Sequence, residues 1–189
     1  MRSEGVTRYA LWLLACFVGC GDNPYVERML EKMGPLEGPT TYQLPNPLVL
    51  TRAGDSVPLH ATFGDRWTVL NIGGTWCAFC RLEMSELQSL HEAWSDQDTR
   101  VVWVALDSPE DQVEEWVRRF GLTLPIVHGP SGDEWGRFGS AWLKGVPRTF
   151  LVDSAGVARF FVRGFRESAP LEPLLAPFLS GELSPPEGP

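Results

Sequence analysis

The sequence predicts an α/β fold in which parallel strands alternate with helices, and three observations support it. The apolar run at 68–72 precedes a segment with helical spacing. A second apolar run at 100–106, rich in β-branched residues as central parallel strands are, precedes another helical segment at 109–120. Strand, helix, strand and helix in this order imply right-handed parallel crossovers. Segments 149–152 and 157–162 flank a short turn and predict a β-hairpin.

A Cys-x-x-Cys motif, Cys77 and Cys80, follows the first strand after a glycine pair. Beyond it, side chains at spacings of three and four predict one buried helix face: Met84, Leu87, His91 and Trp94. Cys77 then lies at the helix N-terminus, where unpaired N–H groups and the helix dipole favour an anion. This position lowers the pKa of a thiol, and the thiolate is the nucleophile of disulfide exchange. Cys80, one turn further on, is within reach to resolve a mixed disulfide at Cys77.

Two cysteines at this spacing can form a redox disulfide, provide half of a metal site, or fill core volume. The order strand, CxxC and helix favours a thioredoxin-like redox site. A metal site is the non-enzymatic rival, but zinc generally needs four ligands, and His60, His91 and His128 are scattered along the sequence. We therefore predict no metal. A peroxiredoxin is a second rival, disfavoured because Gly74 occupies the threonine position of its Pro-x-x-x-Thr-x-x-Cys pattern.

The second helix has recognisable ends in the sequence. Ser108 and Pro109 are expected to be its cap and its first residue, and Gly121 is expected to end it. Its buried stripe is predicted from spacings of three and four: Val113, Trp116, Val117 and Phe120.

Shorter elements complete the predicted domain. Extended pieces at 47–50 and 57–60 surround a turn that precedes the first buried strand. Beyond the second helix, 124–127 is a short strand or loop and 133–141 a short helix. A leucine-rich stripe at 171–178 predicts the last helix, which its prolines are expected to shorten or kink.

The first 19 residues have the features of a signal peptide. Arg2 and Arg8 flank a short polar start, and the apolar run at 9–18 is too short to span a bilayer comfortably. Small residues before a cysteine resemble the lipobox of bacterial lipoproteins, whose cysteine is lipidated and becomes the mature N-terminus. We predict lipidation of Cys20, which ends the fuller apolar run, with Cys16 as the alternative. An ordinary cleaved signal peptide and an uncleaved anchor stay open.

Composition and charge indicate one globular domain and argue against a nucleic-acid-binding protein. A length of 189 residues suits one domain with accessory segments, and 43 % hydrophobic residues suffice for a core. The formal net charge of −8 and the lack of a Lys/Arg cluster argue against nucleic acid as a partner. We predict four segments: a lipoprotein signal peptide at 1–19, a tether at 20–40, the domain at 41–182 and a disordered tail at 183–189.

Three segments resemble the TlpA/ResA-like thiol-disulfide oxidoreductases, which are membrane-tethered members of the thioredoxin superfamily. They are 69–72, 75–84 with its Trp-Cys-x-x-Cys motif, and 145–153 with its Gly-Val-Pro motif. The resemblance implies a thioredoxin-like fold, a central mixed β-sheet flanked by helices, with an added N-terminal β-hairpin. It also implies an extracytoplasmic active site.

The resemblance implies roles for the matching residues. Cys77 is the attacking thiol and Cys80 the resolving thiol, with Trp76 packed beside the disulfide. Pro147 is the cis-proline opposite the disulfide, and its peptide bond with Val146 presents backbone groups to an extended substrate. A cis X–Pro bond costs only about 0.5–1 kcal/mol, so the fold can hold it. An ordinary trans turn proline is the alternative for Pro147.

Four positions depart from the family pattern or need weighing. Phe79 and Ser85 stand where many members have proline, and the ring of Phe79 is expected to change the packing over the sulfurs. Asn71 stands where thioredoxin has a buried aspartate, and we expect a hydrogen-bonded core amide there. Glu83 matches an acid near the site in the ResA-like group. An influence on thiol protonation and a solvated helix carboxylate are equally open for it.

The predicted function is an extracytoplasmic, membrane-tethered thiol-disulfide oxidoreductase, with reduction of exported proteins favoured, including a role in cytochrome c maturation. A folded part whose only cysteines are Cys77 and Cys80 has no structural use for their disulfide. The expected partners are a disulfide-containing exported protein, a membrane protein that donates electrons, and the membrane itself through the lipid anchor. No cofactor is expected, and the chain is expected to be a monomer. An oxidase or isomerase is the alternative, because the sequence does not set the redox potential.

Overall fold

A computed structural model describes residues 37–65, 67–94, 99–106, 108–129, 145–165 and 170–182. Within these ranges the chain forms one mixed eight-stranded sheet, three α-helices and a short 3₁₀-helix. The strands are β1 (Glu37–Gln43), β2 (Leu48–Thr51), β3 (Ser56–Pro58), β4 (Trp67–Gly73), β5 (Thr99–Ala105), β6 (Ile126–His128), β7 (Arg148–Asp153) and β8 (Val157–Arg163). The helices are α1 (Ala78–Trp94), α2 (Glu110–Phe120) and α3 (Leu171–Leu179), and the 3₁₀-helix is Leu59–Thr62.

The centre of the sheet is parallel, as the strand–helix alternation predicted. The strand order is β1-β8-β7-β4-β5-β6-β2-β3, and β4, β5 and β6 run parallel to one another. Every residue of β4 is buried, because strands cover it on both edges and apolar clusters cover both faces. Gly73 pairs with Ala105, and Ala105 pairs with His128, so the carboxyl ends of the three strands meet at one edge. Crevices at this edge are where α/β sheets bind ligands.

The predicted hairpin of β7 and β8 is present, and one side chain shapes its turn. Asp153 Oδ1 accepts hydrogen bonds from the N–H groups of Ala155 and Val157, at 3.0 and 2.9 Å. Gly156 has φ +80°, and a Cβ there would stand 2.4 Å from the ring of His60. Both backbone conformation and close packing therefore require glycine at this position.

The N-terminal strands lie at both edges of the sheet. β2 and β3 pair antiparallel around the turn at 52–55, and β2 joins the sheet through β6. β1 begins at Glu37, inside the segment 20–40 that was predicted to be a tether. Glycine and proline are typical of loops, so the sequence did not predict a strand here. Pro39 is tolerated because β1 is an edge strand that pairs only with β8.

The second helix differs from its prediction at one end. Ser108 does not cap it: α2 begins at Glu110, and Pro109 precedes it without a side-chain cap. The Ser108 hydroxyl instead donates to the Leu106 carbonyl at 2.8 Å and accepts from the N–H of Thr75 at 3.0 Å. At the other end the prediction is confirmed, since Gly121 ends the helix with φ +62°.

The predicted helical stripes face the core, where their residues are buried or partly buried. Met84, Leu87 and Trp94 of α1 are buried and His91 lies half-buried at the boundary. All three helices contribute to one apolar cluster on a single face of the sheet, and the other face packs on the 3₁₀-helix. The predicted helix at 133–141, the signal peptide with Cys16 and Cys20, and the tail at 183–189 lie outside the described residues. Among the helices that are described, none is long and apolar enough to span a bilayer.

Candidate active site

Cys77 and Cys80 form a disulfide at the start of α1. Cys77 directly precedes the helix and is 7 % exposed, whereas Cys80 is fully buried one turn later. The N–H of Cys80 points at Cys77 Sγ, 3.1 Å away. An N–H group of the first helical turn stabilises negative charge, so the geometry favours a thiolate on Cys77 once the disulfide is open.

Gly73, the last residue of β4, makes room for the disulfide, and Gly74, directly after it, makes room for the Trp76 indole. A Cβ on Gly73 would stand 3.0 Å from Cys80 Sγ and 3.2 Å from Trp103 Nε1. A Cβ on Gly74 would stand 2.5 Å from Trp76 Nε1 and 2.9 Å from the Leu106 carbonyl oxygen. The sequence had indicated this pair only as a break after a strand. Close approach of side chains and backbone is the physical reason for it.

The loop before β7 faces the disulfide from the other side. The Val146–Pro147 peptide bond is cis, as the family resemblance implied. The Val146 carbonyl oxygen lies 3.8 Å from Cys77 Sγ. Backbone groups next to Cys77, the less buried of the two cysteines, are therefore available to a chain that approaches it.

Exposed apolar side chains surround the disulfide on the helix side. Trp76, Phe79 and Leu82, here called the apolar rim, are 61, 61 and 54 % exposed. The Trp76 indole donates a hydrogen bond to the Leu106 carbonyl at 3.2 Å, which fixes the ring beside the motif. Most of the Phe79 ring faces solvent. Phe79 and Leu82 are three residues apart on α1 and are therefore neighbours on its surface. Exposed apolar side chains grouped in this way are typical of a protein-binding surface.

A buried polar cluster lies one turn beyond Cys80. The Asn71 amide donates to Glu83 Oε2 at 2.7 Å and to the Thr149 hydroxyl at 2.9 Å, and all three residues are buried. The expected hydrogen-bonded core amide at Asn71 is confirmed. The solvated-carboxylate interpretation of Glu83 is wrong, because its side chain points into the core and is 2 % exposed.

Burial changes the acidity of Glu83. Desolvation raises the pKa of Glu83 from 4.5 to about 8, the hydrogen bond from Asn71 opposes this rise, and the charge of Glu86 adds to it. Glu83 follows Cys80 by three residues on α1, and such residues are neighbours on a helix. Near neutral pH, an acid of this pKa beside a buried sulfur is suited to exchange a proton with it.

The sequence patterns did not indicate two further buried polar residues at the start of β7. Thr149 had been assigned only to a strand, and Arg148, directly after the cis-proline, is also buried. Arg148 Nε donates to the Gly145 carbonyl at 3.2 Å. Burial, together with Arg163, lowers the pKa of Arg148 to about 10. The sequence did contain one signal for a buried charge, namely Arg148 at the start of an apolar strand.

The three described histidines lie in different parts of the fold. His60 stacks on Phe63 with ring centroids 4.9 Å apart, His91 lies on α1, and His128 ends β6. Across the described ranges, no three His, Cys, Asp or Glu side chains are grouped closely enough to hold a metal ion.

Solved structures of bacterial thiol-disulfide proteins share this fold. A secreted thiol-disulfide isomerase from Corynebacterium glutamicum has a TM-score of 0.66 at 22 % identity, over 78 % of this chain and 93 % of that chain. A DsbF homologue from Corynebacterium diphtheriae has a TM-score of 0.64 at 24 % identity, over 79 % and 94 %. At these identities the similarity establishes the fold alone.

Relatives identified by their sequences extend the similarity from the fold to the family. Thiol-disulfide oxidoreductase ResA of Geobacillus thermodenitrificans is 34 % identical over 50 % of this chain, and the match spans about half, 53 %, of that relative. ResA of Geobacillus kaustophilus is 29 % identical over 80 % of this chain and 83 % of the relative. The profile of the AhpC/TSA family matches residues 41–161, more than half of the chain. The predicted resemblance and the thioredoxin-like fold are confirmed, and the chain belongs to the AhpC/TSA family.

Proposed function

We propose that this chain is a thiol-disulfide oxidoreductase that acts on protein disulfides through Cys77 and Cys80. The observation that carries the proposal is the disulfide itself, set at a helix N-terminus and faced by the backbone of a cis-proline loop. The names of the ResA relatives support the same activity.

In the reducing direction, the reaction balances as two successive exchanges. The Cys77 thiolate attacks one sulfur of a substrate disulfide, and the other substrate sulfur leaves as a thiolate that takes up a proton. The Cys80 thiol then loses its proton, and its sulfur attacks Cys77 Sγ. The Cys77–Cys80 bond forms, the mixed disulfide breaks, and two electrons and two protons have passed to the substrate.

The surrounding residues fit particular steps of this reaction. Glu83 in its ionised form accepts the Cys80 proton, because its raised pKa lies close to that of a thiol. Asn71 orients the Glu83 carboxylate through its hydrogen bond. Trp76 and the backbone of Val146 and Pro147 hold the substrate segment that carries the attacked disulfide.

The apolar rim favours a protein as the substrate rather than a small disulfide. Leu82→Ala and Phe79→Ala are each expected to raise KM for insulin by about three- to fivefold, because each removes exposed apolar contact area worth roughly 1 kcal/mol. The rate with oxidised glutathione should stay unchanged. Leu48→Ala, which truncates an equally exposed leucine on β2, is the matched control and should leave both rates unchanged. An equal loss with glutathione and insulin would show that the rim has no part in protein binding.

We favour the reducing direction, with a membrane protein that donates electrons to the oxidised chain. Electrons flow to substrate disulfides if the Cys77–Cys80 disulfide is stable relative to the dithiol, and 30 mV corresponds to about 1.4 kcal/mol for this couple. Titration of the purified domain against dithiothreitol or glutathione measures this balance. We expect a potential well below −120 mV. A potential near or above about −120 mV would contradict the reductase assignment and favour an oxidase or isomerase.

We also propose that the mature chain is extracytoplasmic and held to the membrane by a lipid on Cys20. Such a location explains the use of a reactive dithiol in a chain without other cysteines in its folded part. Mass spectrometry of the mature N-terminus from membranes is expected to find a diacylated Cys20. An unmodified N-terminus downstream of Cys20 would contradict the lipid anchor. A diacylated Cys16 would show that the lipid is attached to Cys16 and not to Cys20. Reduction of exported apocytochromes during cytochrome c maturation is one substrate class that this location permits.

A further inference from the structure

Trp103 is a fully buried tryptophan of β5 whose indole N–H has no hydrogen-bond partner among the described residues. Its ring stacks on Trp116, with centroids 5.4 Å apart and planes 8° from parallel. A buried donor that stays unsatisfied costs about 1–3 kcal/mol, and most buried indoles have a partner. Stacking explains the position of the ring but not the unsatisfied N–H.

The N–H lies beside the buried sulfur of the disulfide. The position that a Cβ of Gly73 would take is 3.2 Å from Trp103 Nε1 and 3.0 Å from Cys80 Sγ. Trp103 Nε1 and Cys80 Sγ therefore border the same small space, which stays open because residue 73 is glycine. In the oxidised protein the sulfur is bonded to Cys77 and no hydrogen bond joins it to the indole.

We propose that Trp103 Nε1–H becomes a hydrogen-bond donor to Cys80 Sγ when the disulfide opens. On reduction the S–S bond breaks, two electrons enter from the donor dithiol, and the two sulfurs move apart to non-bonded distance. The space beside Gly73 lets Cys80 Sγ approach the indole. The N–H keeps its own proton and stabilises the Cys80 thiolate that attacks the mixed disulfide at Cys77. This inference rests on the proposed thiol-disulfide exchange.

The other polar groups near Cys80 differ from the Trp103 N–H in charge, in partner or in direction. Glu83, three residues after Cys80 on α1, and the thiol of Cys77 are titratable groups beside Cys80, and both become negative on ionisation. Asn71 of β4 and Thr149 of β7 are neutral and already bond to each other, and Asn71 also bonds to Glu83. Arg148 is paired in register with Ile72, whose side chain belongs to the opposite apolar cluster, so its charge faces away from Cys80. Trp103 is thus a neutral donor that borders the same space as the buried sulfur and whose N–H has no other partner among the described residues.

Trp103→Phe removes the N–H and keeps an aromatic ring on Trp116. We expect the redox equilibrium with dithiothreitol to shift three- to tenfold toward the disulfide, because the reduced form loses a hydrogen bond and the oxidised form loses an unsatisfied donor. In a Cys77→Ser background, the pKa of Cys80, followed by thiolate absorbance at 240 nm, should rise. Trp116→Phe is the matched control: it changes the other ring of the same stack, and both readouts should stay unchanged. Equal effects of the two variants would overturn the proposal.

A second measurement uses the unmutated chain and does not depend on the folding of a variant. With ¹⁵N-labelled tryptophan, the indole N–H signal that shows a nuclear Overhauser contact to Gly73 belongs to Trp103. We expect this signal to move downfield on reduction and to titrate with the pKa of Cys80. A signal that stays in place while dithiothreitol opens the disulfide would overturn the role of Trp103 and leave the proposed function intact. A disulfide that excess dithiothreitol cannot open would overturn both.

Discussion

Cys80→Ser is expected to turn the chain from a catalyst into a trap for its substrate. The variant keeps Cys77 directly before α1, where it is the less buried cysteine and can still attack a disulfide, but lacks the buried sulfur that releases the product. Catalysed reduction of insulin by dithiothreitol should fall at least about a hundredfold. A mixed disulfide between Cys77 and the substrate should accumulate instead.

Cys77→Ser is the control that separates the roles of the two sulfurs. It should lose the same activity without forming a stable adduct, because the remaining sulfur of Cys80 is fully buried. Non-reducing electrophoresis followed by peptide mass spectrometry measures the adducts. Adducts on Cys80 in the Cys77→Ser variant, at the level found for Cys80→Ser, would show that the nucleophile has been assigned to the wrong cysteine. The same trap applied to a membrane extract would capture the natural substrate.

Glu83→Gln is expected to remove a large pH dependence from the stability of the oxidised protein. The pKa of Glu83 in the folded chain, about 8, lies above its ordinary value of 4.5. Below pH 4.5 the residue is protonated in both states and its contribution is fully present. As pH rises toward 8, only the unfolded chain ionises, so the free energy of unfolding falls by on the order of 5 kcal/mol in total. The free energy of unfolding of the glutamine variant should not fall in this way, because glutamine does not ionise.

Urea unfolding of the oxidised protein at pH 5 and pH 9 measures the effect. Relative to the unmutated chain, Glu83→Gln should gain stability on going from pH 5 to pH 9, since glutamine fills the same space and can accept the hydrogen bond of Asn71. Glu115→Gln, at an exposed position of α2, is the matched control and should show no such gain. Equal pH dependence in all three proteins would mean that Glu83 ionises freely in the folded state. A slower release of the mixed disulfide in Glu83→Gln below pH 8 would support its part in proton transfer.

The parts of the fold that local patterns specify were predictable from the sequence. The apolar runs of β4 and β5, the CxxC motif between β4 and α1, and the Gly-Val-Pro motif determined the sheet centre and the site. β1 was not predictable, because an edge strand tolerates the glycine and proline that make 37–40 resemble a tether. Ser108 has the local pattern of a cap, yet its hydroxyl is bonded to the loop around Thr75, a tertiary contact that no local pattern reports.

The site was predictable at its cysteines and less so around them. The burial of Glu83 depends on which face of α1 meets Asn71 and Thr149. Asn71 is 12 positions from Glu83 and 78 positions from Thr149 in the sequence, so no local pattern reports their contact. The exposure of Phe79 depends on the same rotation of α1. Trp103 lies within the residues 101–106, all of which predict core, and only the approach of its N–H to Gly73 distinguishes it.

The most direct test of the account is a single turnover without any other reductant. The fully reduced chain is mixed with insulin in equal amounts, and the reaction is stopped with acid, alkylated and analysed by mass spectrometry. We predict that one insulin disulfide opens for each Cys77–Cys80 disulfide that forms, and that Cys77→Ser opens none. A chain that keeps both thiols while insulin stays intact, or that forms its own disulfide without producing insulin thiols, would contradict the proposed electron transfer.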